Sequence, residues 1–302
     1  MAKLSVVISA FNEEKNIKGC LESVRDLADE IILIDNTSTD KTVEITRKYE
    51  AKIYSQPNRL MLNINKNFGF EKASGEWILS LDADERVTPE LENEIKSEIR
   101  NPKSEINGFW IPRENILFGK WIKSQMWWPD EQLRLFRKGK GEFPERHVHE
   151  YLKVDGQTAH LKNPLIHLNY TSVSQFLYKL DKIYTENEVE NFLKSGRKIS
   201  WNEALKWPVS DFLKTFFAQK GYKDGLHGLV LSLLQAFYAE VTFAKAWERQ
   251  GFSEIEIDHQ EFARELRKLI KELNYWLLTT ELKESKNPFK KLLLKIKRRG
   301  GF

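Results

Sequence analysis

The sequence predicts an α/β protein: a Rossmann-like half built on a mostly parallel mixed sheet, followed by a helical, amphipathic C-terminal region. Three observations carry this. β-rich apolar runs alternate with amphipathic segments through the first third of the chain, the spacing of βαβ crossovers. Short aromatic strands follow from Gly108. Beyond about Tyr170 the apolar residues recur at helical spacing, as in Phe176, Leu180, Ile183 and Tyr184. Residues 1–170 are expected to form one domain and residues 171–302 the helical region.

Leu4 to Ala10 reads as the first strand, with Asn12 a candidate cap for a helix that turns Ile17, Leu21, Val24 and Ala28 to one side. Ile31 to Ile34 is a second buried strand, ending at Asp35. Asn36 to Asp40 is a turn, and Thr39 a candidate cap for a helix carrying Thr42, Ile45 and Tyr49 inward. Lys52 to Ser55 is a short third strand, and Asn65 to Ala73 a helix ended by Gly75. The next apolar run, from Trp77, stops at two carboxylates, Asp82 and Asp84, which places them at the carboxyl end of a buried strand, where open α/β sheets bind ligands. A helix is expected at once, because Thr88 can cap and Pro89 suits the first helical position. Phe109 to Pro112, Leu133 to Phe136 and Val148 to Val154 read as the aromatic strands. There is no G-x-G-x-x-G turn, so dinucleotide binding is not expected.

Composition narrows the function classes. With 302 residues, 41% hydrophobic and 30% charged, the chain can bury a large core. A net charge of +4 is small for a nucleic-acid binder. One cysteine, Cys20, forms no intrachain disulfide, which points to the cytoplasm. No apolar run reaches the roughly 18 to 20 residues of a membrane span, and the N-terminus lacks signal-peptide features. The charge-free run from Gly225 to Ala239, and a tail in which Phe289 and Leu292 to Leu294 alternate with Lys290, Lys291, Lys295, Lys297, Arg298 and Arg299, suit the interface of an anionic membrane. The expected location is peripheral, at the inner face of the cell membrane; oligomeric state is open.

Two carboxylates at i and i+2 on a strand-end turn can share one hard divalent cation, or divide between a cation and a ribose hydroxyl. Mg2+ or Mn2+ held by few protein oxygens keeps sites open for a diphosphate. The segments Ser5 to Glu14, Ile32 to Asp40 and Leu79 to Asp84 resemble the three nucleotide-sugar motifs of family 2 glycosyltransferases with the GT-A fold. Phe109 to Asn115, Pro129 to Phe136 and Val148 to Glu150 resemble the lipopolysaccharide-core glucosyltransferase branch of that family.

The resemblance implies that Phe11, Glu13 and Asp35 line the base and ribose pocket and that Lys66 faces the pyrophosphate or base. It implies Asp82 as a ribose or metal contact, Asp84 as the principal metal ligand and His149 as an extra metal or phosphate contact. Asp130 takes the place of the catalytic base, with Glu131 beside it as the other acid. The implied reaction moves a hexose from a nucleotide sugar, UDP-glucose being favoured, to a lipid-linked or cell-surface glycan by single displacement with inversion. Two rivals remain. Leu81 to Val87 also imitates the D-x-D-x-(T/V) signature of haloacid-dehalogenase phosphatases, although the pair stands late in the chain and no later Gly-Asp metal motif follows. The aromatic and cationic second half would also suit a non-catalytic membrane scaffold.

Overall fold

The computed structural model describes residues 3–58, 62–101, 105–145 and 151–300. The chain forms two compact units, Met1–Trp121 with Trp127–Asn169, and Ile122–Met126 with Tyr170–Phe302.

The first unit is built on β1 (Leu4–Ala10), β2 (Glu30–Asp35), β3 (Lys52–Ser55) and β4 (Trp77–Asp82), separated by α1 (Ile17–Val24), α2 (Thr42–Arg47) and α3 (Leu62–Lys72). After β4 come β5 (Glu85–Val87), α4 (Pro89–Ile99), β6 (Ile106–Ile111), β7 (Arg113–Leu117), β8 (Lys120–Trp121) and β9 (Gln132–Arg137). The unit closes with β10 (Gly141–Glu142), β11 (Lys153–Val154), β12 (Gln157–His160) and β13 (Leu165–Tyr170). The seven-stranded sheet has the order β12-β6-β9-β4-β1-β2-β3. Its ladders are parallel except on both sides of β9, which runs against β4 and β6. The sheet is thus mixed and mostly parallel. The central strands are apolar throughout because both faces are covered: Val6, Ile8, Leu33, Leu79 and Leu81 pack with α1 and α4 residues on one side, while Val7, Ile32, Ile34 and Ile78 meet Phe70, Phe136 and Phe143 on the other. Gly69 lets α3 lie close, since a Cβ there would come within 2.6 Å of Val7 Cγ1.

A second sheet, β5-β13-β7-β8, stands where a helix was expected directly after Asp84. Glu85 and Val87 are both buried, so the segment behaves as an alternating strand and pairs antiparallel with β13 before α4 begins. The cap and first position of α4 are as expected: Thr88 accepts from Leu91 N at 3.1 Å and Pro89 follows it. Asn12 does not cap α1. It adopts φ 55°, its Oδ1 accepts from Thr39 N at 2.8 Å, and α1 starts after Asn16. Thr39 likewise caps nothing; α2 follows Lys41, with Asp40 Oδ1 accepting from Thr42 N at 2.9 Å. Of the strand expected over 148–154, Lys153–Val154 is formed and residues 148–150 lie outside the described residues.

The second unit is helical: α5 (Val173–Lys179), α6 (Thr185–Lys194), α7 (Glu203–Phe212), α8 (Leu226–Arg249), α9 (His259–Glu284) and α10 (Pro288–Gly300), with π-helical turns at Leu180–Tyr184 and Leu213–Ala218. Its core includes Val189, Ile199, Phe243 and Ala246. One expectation is corrected here. The charge-free run ends at Ala239, but the helix continues past Glu240 to Arg249, and its 24 residues are long and apolar enough to cross a membrane by length and composition. Only 28% of its most apolar window is buried. The chain therefore does contain a segment meeting that test.

Candidate active site

The site lies at the carboxyl edge of the large sheet. Ser9 pairs with Asp82 and Ala10 with Asp35, so the ends of β1, β2 and β4 arrive together. The small sheet then supplies partners from the other side: His167 is opposite Glu85 in the β5–β13 ladder, and β7 brings Arg113 and Asn115.

Asp82 lies between two cations. Its Oδ1 accepts from Lys66 Nζ at 2.6 Å, and its Oδ2 from Arg134 Nη2 at 2.5 Å. Burial pushes its carboxyl up, but Arg134 and Lys66 outweigh this and hold it well below the usual carboxylate range. Arg134 also donates to Glu85 Oε1 at 2.7 Å, and Glu85 Oε2 accepts from Asp82 N at 3.0 Å. Glu85 is fully buried, and Arg113 Nη1 reaches the same Oε1 at 3.3 Å. A buried charge of this kind is tolerable only when paired and hydrogen-bonded.

Asp84 faces a histidine that the sequence did not single out. Its Oδ2 lies 3.5 Å from His167 Nε2. His167 Nδ1 is 2.6 Å from Asn115 Oδ1, and Asn115 Nδ2 is spent on Trp127 O and Asp130 Oδ2 at 2.9 and 3.1 Å. Asn115 Oδ1 can only accept, so Nδ1 carries the hydrogen of that bond, and the ring's other nitrogen, Nε2, faces Asp84.

The two acids ahead of β9 face different surroundings. Asp130 accepts from Arg113 Nε at 3.0 Å, closely from Arg113 Nη2, and from Gln132 Nε2 at 3.0 Å. Burial raises its carboxyl, but Arg113 and the hydrogen bonds outweigh that and lower it. Glu131 instead places Oε1 2.8 Å from His160 Nδ1, away from the Asp84 network.

The residues expected to line a donor pocket stand at the ends of β1 and β2 and on α3. Phe11 is 40% exposed at the end of β1. Glu13 anchors the loop before α1, its Oε2 accepting from Asn16 Nδ2 at 2.7 Å. Asp35 is buried and accepts from Ser38 N at 3.1 Å, closing the turn after β2. Asn36, buried beside it, donates to Ser9 Oγ and accepts from Asn65 Nδ2, linking β1, β2 and α3. Lys66 is buried, with Nζ 5.7 Å from the Phe143 ring centre. His149 lies outside the described residues.

Arg113, Asn115, Arg134, Glu85 and His167 are thus site residues that sequence reasoning missed. The signal available was a charged or polar residue at an inward position of an otherwise apolar strand: Arg134 in Gln132–Arg137, and His167 in Leu165–Tyr170.

Residues 5–152 match the family described as Glycosyl transferase family 2. Residues 5–152 are therefore a glycosyl transferase family 2 domain. The chain is 28% identical over 255 residues to a lipopolysaccharide core biosynthesis glycosyltransferase, LpsC, of Rhizobium meliloti, covering 82% of this chain and 93% of that protein. It is 29% identical over 258 residues to a glycosyltransferase of Rickettsia typhi, covering 82% and 88%. Among solved structures, it resembles TarS 1-349 of S. aureus in complex with UDP (TM-score 0.45, 18% identity, 85% of this chain and 94% of that one). It also resembles the mannosyltransferase PcManGT of Pyrobaculum calidifontis in complex with GDP-Man and Mn2+ (TM-score 0.43, 14% identity, 99% and 87%).

Among the described residues, no three His, Cys, Asp or Glu side chains form a cation cluster. The donors that are present still fit a divalent ion. Ligands about 2.1 Å from a cation on neighbouring octahedral positions stand about 3 Å apart, close to the 3.5 Å between Asp84 Oδ2 and His167 Nε2. A two-ligand protein set leaves positions for water and diphosphate oxygens.

Proposed function

We propose that this enzyme transfers a hexose from a nucleoside-diphosphate donor, UDP-glucose being the favoured one, to a lipid-linked or lipopolysaccharide-type glycan acceptor with inversion. The observation that carries the reading is the placement of Asp84 against His167 on one side of the network and Asp130 on the other, joined through Asn115. Asp84 and His167 would hold Mg2+ or Mn2+, which when bound stabilises the charge that develops on the leaving diphosphate. Lys66 and Arg134 add positive charge to the same edge, while their pairing with Asp82 makes that carboxylate a positioning residue for the two cations. Phe11, Glu13 and Asp35 line the base and ribose pocket.

Asp130 takes the proton from the acceptor hydroxyl as that oxygen attacks the anomeric carbon. The lowered Asp130 carboxyl is ionised at neutral pH and so able to accept. Asp130→Asn is expected to bind donor normally and to lose transfer by about 100-fold or more, measured as nucleoside diphosphate released in the presence of acceptor. Undiminished turnover removes Asp130 from this role. Loss of phosphomonoesterase activity in Asp82→Asn, if such activity exists, would instead favour the phosphatase reading.

The same reading places the protein at the inner face of the membrane. In α10, Leu294 is buried while Phe289, Leu292, Leu293 and Ile296 are 54–83% exposed, with Lys290, Lys291, Lys295 and Lys297 exposed around them. An apolar face bordered by cations suits anionic lipid headgroups on the cytoplasmic leaflet.

A further inference from the structure

A hollow of about 490 Å³ opens on the first unit, lined by Trp110, Glu131, Tyr151 and His160. None of its lining residues takes part in the Asp82–Asp84 network. Trp110 on β6 and His160 on β12 lie side by side, their rings 17° from parallel with centres 6.2 Å apart. The indole is held from behind, Nε1 donating to Thr158 Oγ1 at 3.3 Å, and His160 Nδ1 meets Glu131 Oε1 at 2.8 Å. Tyr151 is 65% exposed.

We infer that this hollow is a binding subsite for a sugar ring of the acceptor. Aromatic faces next to hydrogen-bonding groups match a pyranose, which has an apolar C–H face and a rim of hydroxyls. The Glu131 carboxylate accepts from such hydroxyls and the imidazole can serve either way. Among the described residues the lining carries a carboxylate and no Lys or Arg, which disfavours a diphosphate and separates this place from the donor pocket. Its position also fits an acceptor. Glu131 follows Asp130 directly, with Cα atoms about 3.8 Å apart, and Trp110 pairs with Leu133 two residues further on. A ring seated here is held by the sequence neighbour of the carboxylate proposed to deprotonate the acceptor. Glu131 is then a residue that holds acceptor hydroxyls rather than a second base.

The inference rests on the glycosyl-transfer reading for calling the sugar an acceptor, but not for the binding itself. The test is saturation-transfer NMR on the full chain with methyl α-D-glucopyranoside, methyl α-D-mannopyranoside and methyl β-D-galactopyranoside, with UDP and Mn2+ present in excess. UDP binding is followed separately by thermal shift. At least one glycoside should bind despite UDP, and the exposed-side variant Tyr151→Ala/His160→Ala should weaken it about tenfold or more while melting as the parent does. Glu131→Gln, which keeps the shape, should weaken it less. The inference is overturned if no glycoside binds, if UDP displaces the glycoside, or if the double variant binds unchanged. Glycoside binding without UDP binding would instead sink the donor reading and leave the subsite standing.

Discussion

At the scale of single residues, Asp130 depends on Arg113. The guanidinium and the Asn115 and Gln132 amides keep the carboxyl ionised, against the burial that pushes it up. A base must be deprotonated to act, so activity should persist as pH falls until Asp130 protonates, below the ordinary Asp value of about 3.9. Arg113→Gln removes the neighbouring charge, lets burial dominate, and should move the acid limb of the kcat/KM profile to higher pH. An acid limb unmoved by this change would separate Arg113 from the base. The linked stability has the same sign: it is present above the unfolded Asp value and is lost as pH falls through the lower folded one. Cys20 offers no competing chemistry. Burial pushes its thiol up, leaving it inert at neutral pH.

At the scale of elements, the decisive feature is that β4, β5 and β9 are locked by one guanidinium. Arg134 on β9 bridges Asp82 at the end of β4 and the fully buried Glu85 on β5. Arg134→Met should cost about 3–5 kcal/mol, since it strands buried carboxylates, measured by urea unfolding. A cost below about 1 kcal/mol, the level of an exposed pair, would contradict the description. This lock also marks what the sequence made legible. The strands β1, β2 and β4, and the aspartates that end β2 and β4, could be read because both-face burial leaves unbroken apolar runs, and the Thr88-Pro89 start of α4 because capping is local chemistry. The three-residue β5, Arg113, Asn115 and His167 could not, because their roles arise from pairing between strands far apart in sequence: His167 meets Glu85, 82 residues before it, in a register that no local pattern encodes. The opposite surroundings of Asp130 and Glu131 were equally hidden, since alternation fixes only that neighbours diverge, not which one meets Arg113.

At the scale of the whole molecule, a sheet edge gathers the charged groups and a helical unit carries apolar residues outward. α8 exposes Leu226, Leu233 and Phe237, and α9 exposes Leu266, Ile270 and Leu277, at helical spacing. With the cationic α10, these faces predict membrane binding that combines apolar and electrostatic terms. Deleting the residues after Pro288 should weaken sedimentation with anionic vesicles and reduce its salt dependence, while leaving nucleotide binding intact. Equal binding before and after deletion would remove α10 from that role. The central claim, that the edge of β4 is the metal-dependent donor site, is tested most directly by the thermal shift given by UDP-glucose with and without Mn2+, in the parent protein and in Asp84→Ala. Ligands that bind the native state raise the melting temperature. The account predicts a Mn2+-dependent rise in the parent that is lost in Asp84→Ala, with the unliganded melting temperature little changed. A rise of equal size in the variant, or none in the parent with any nucleotide sugar, would contradict it.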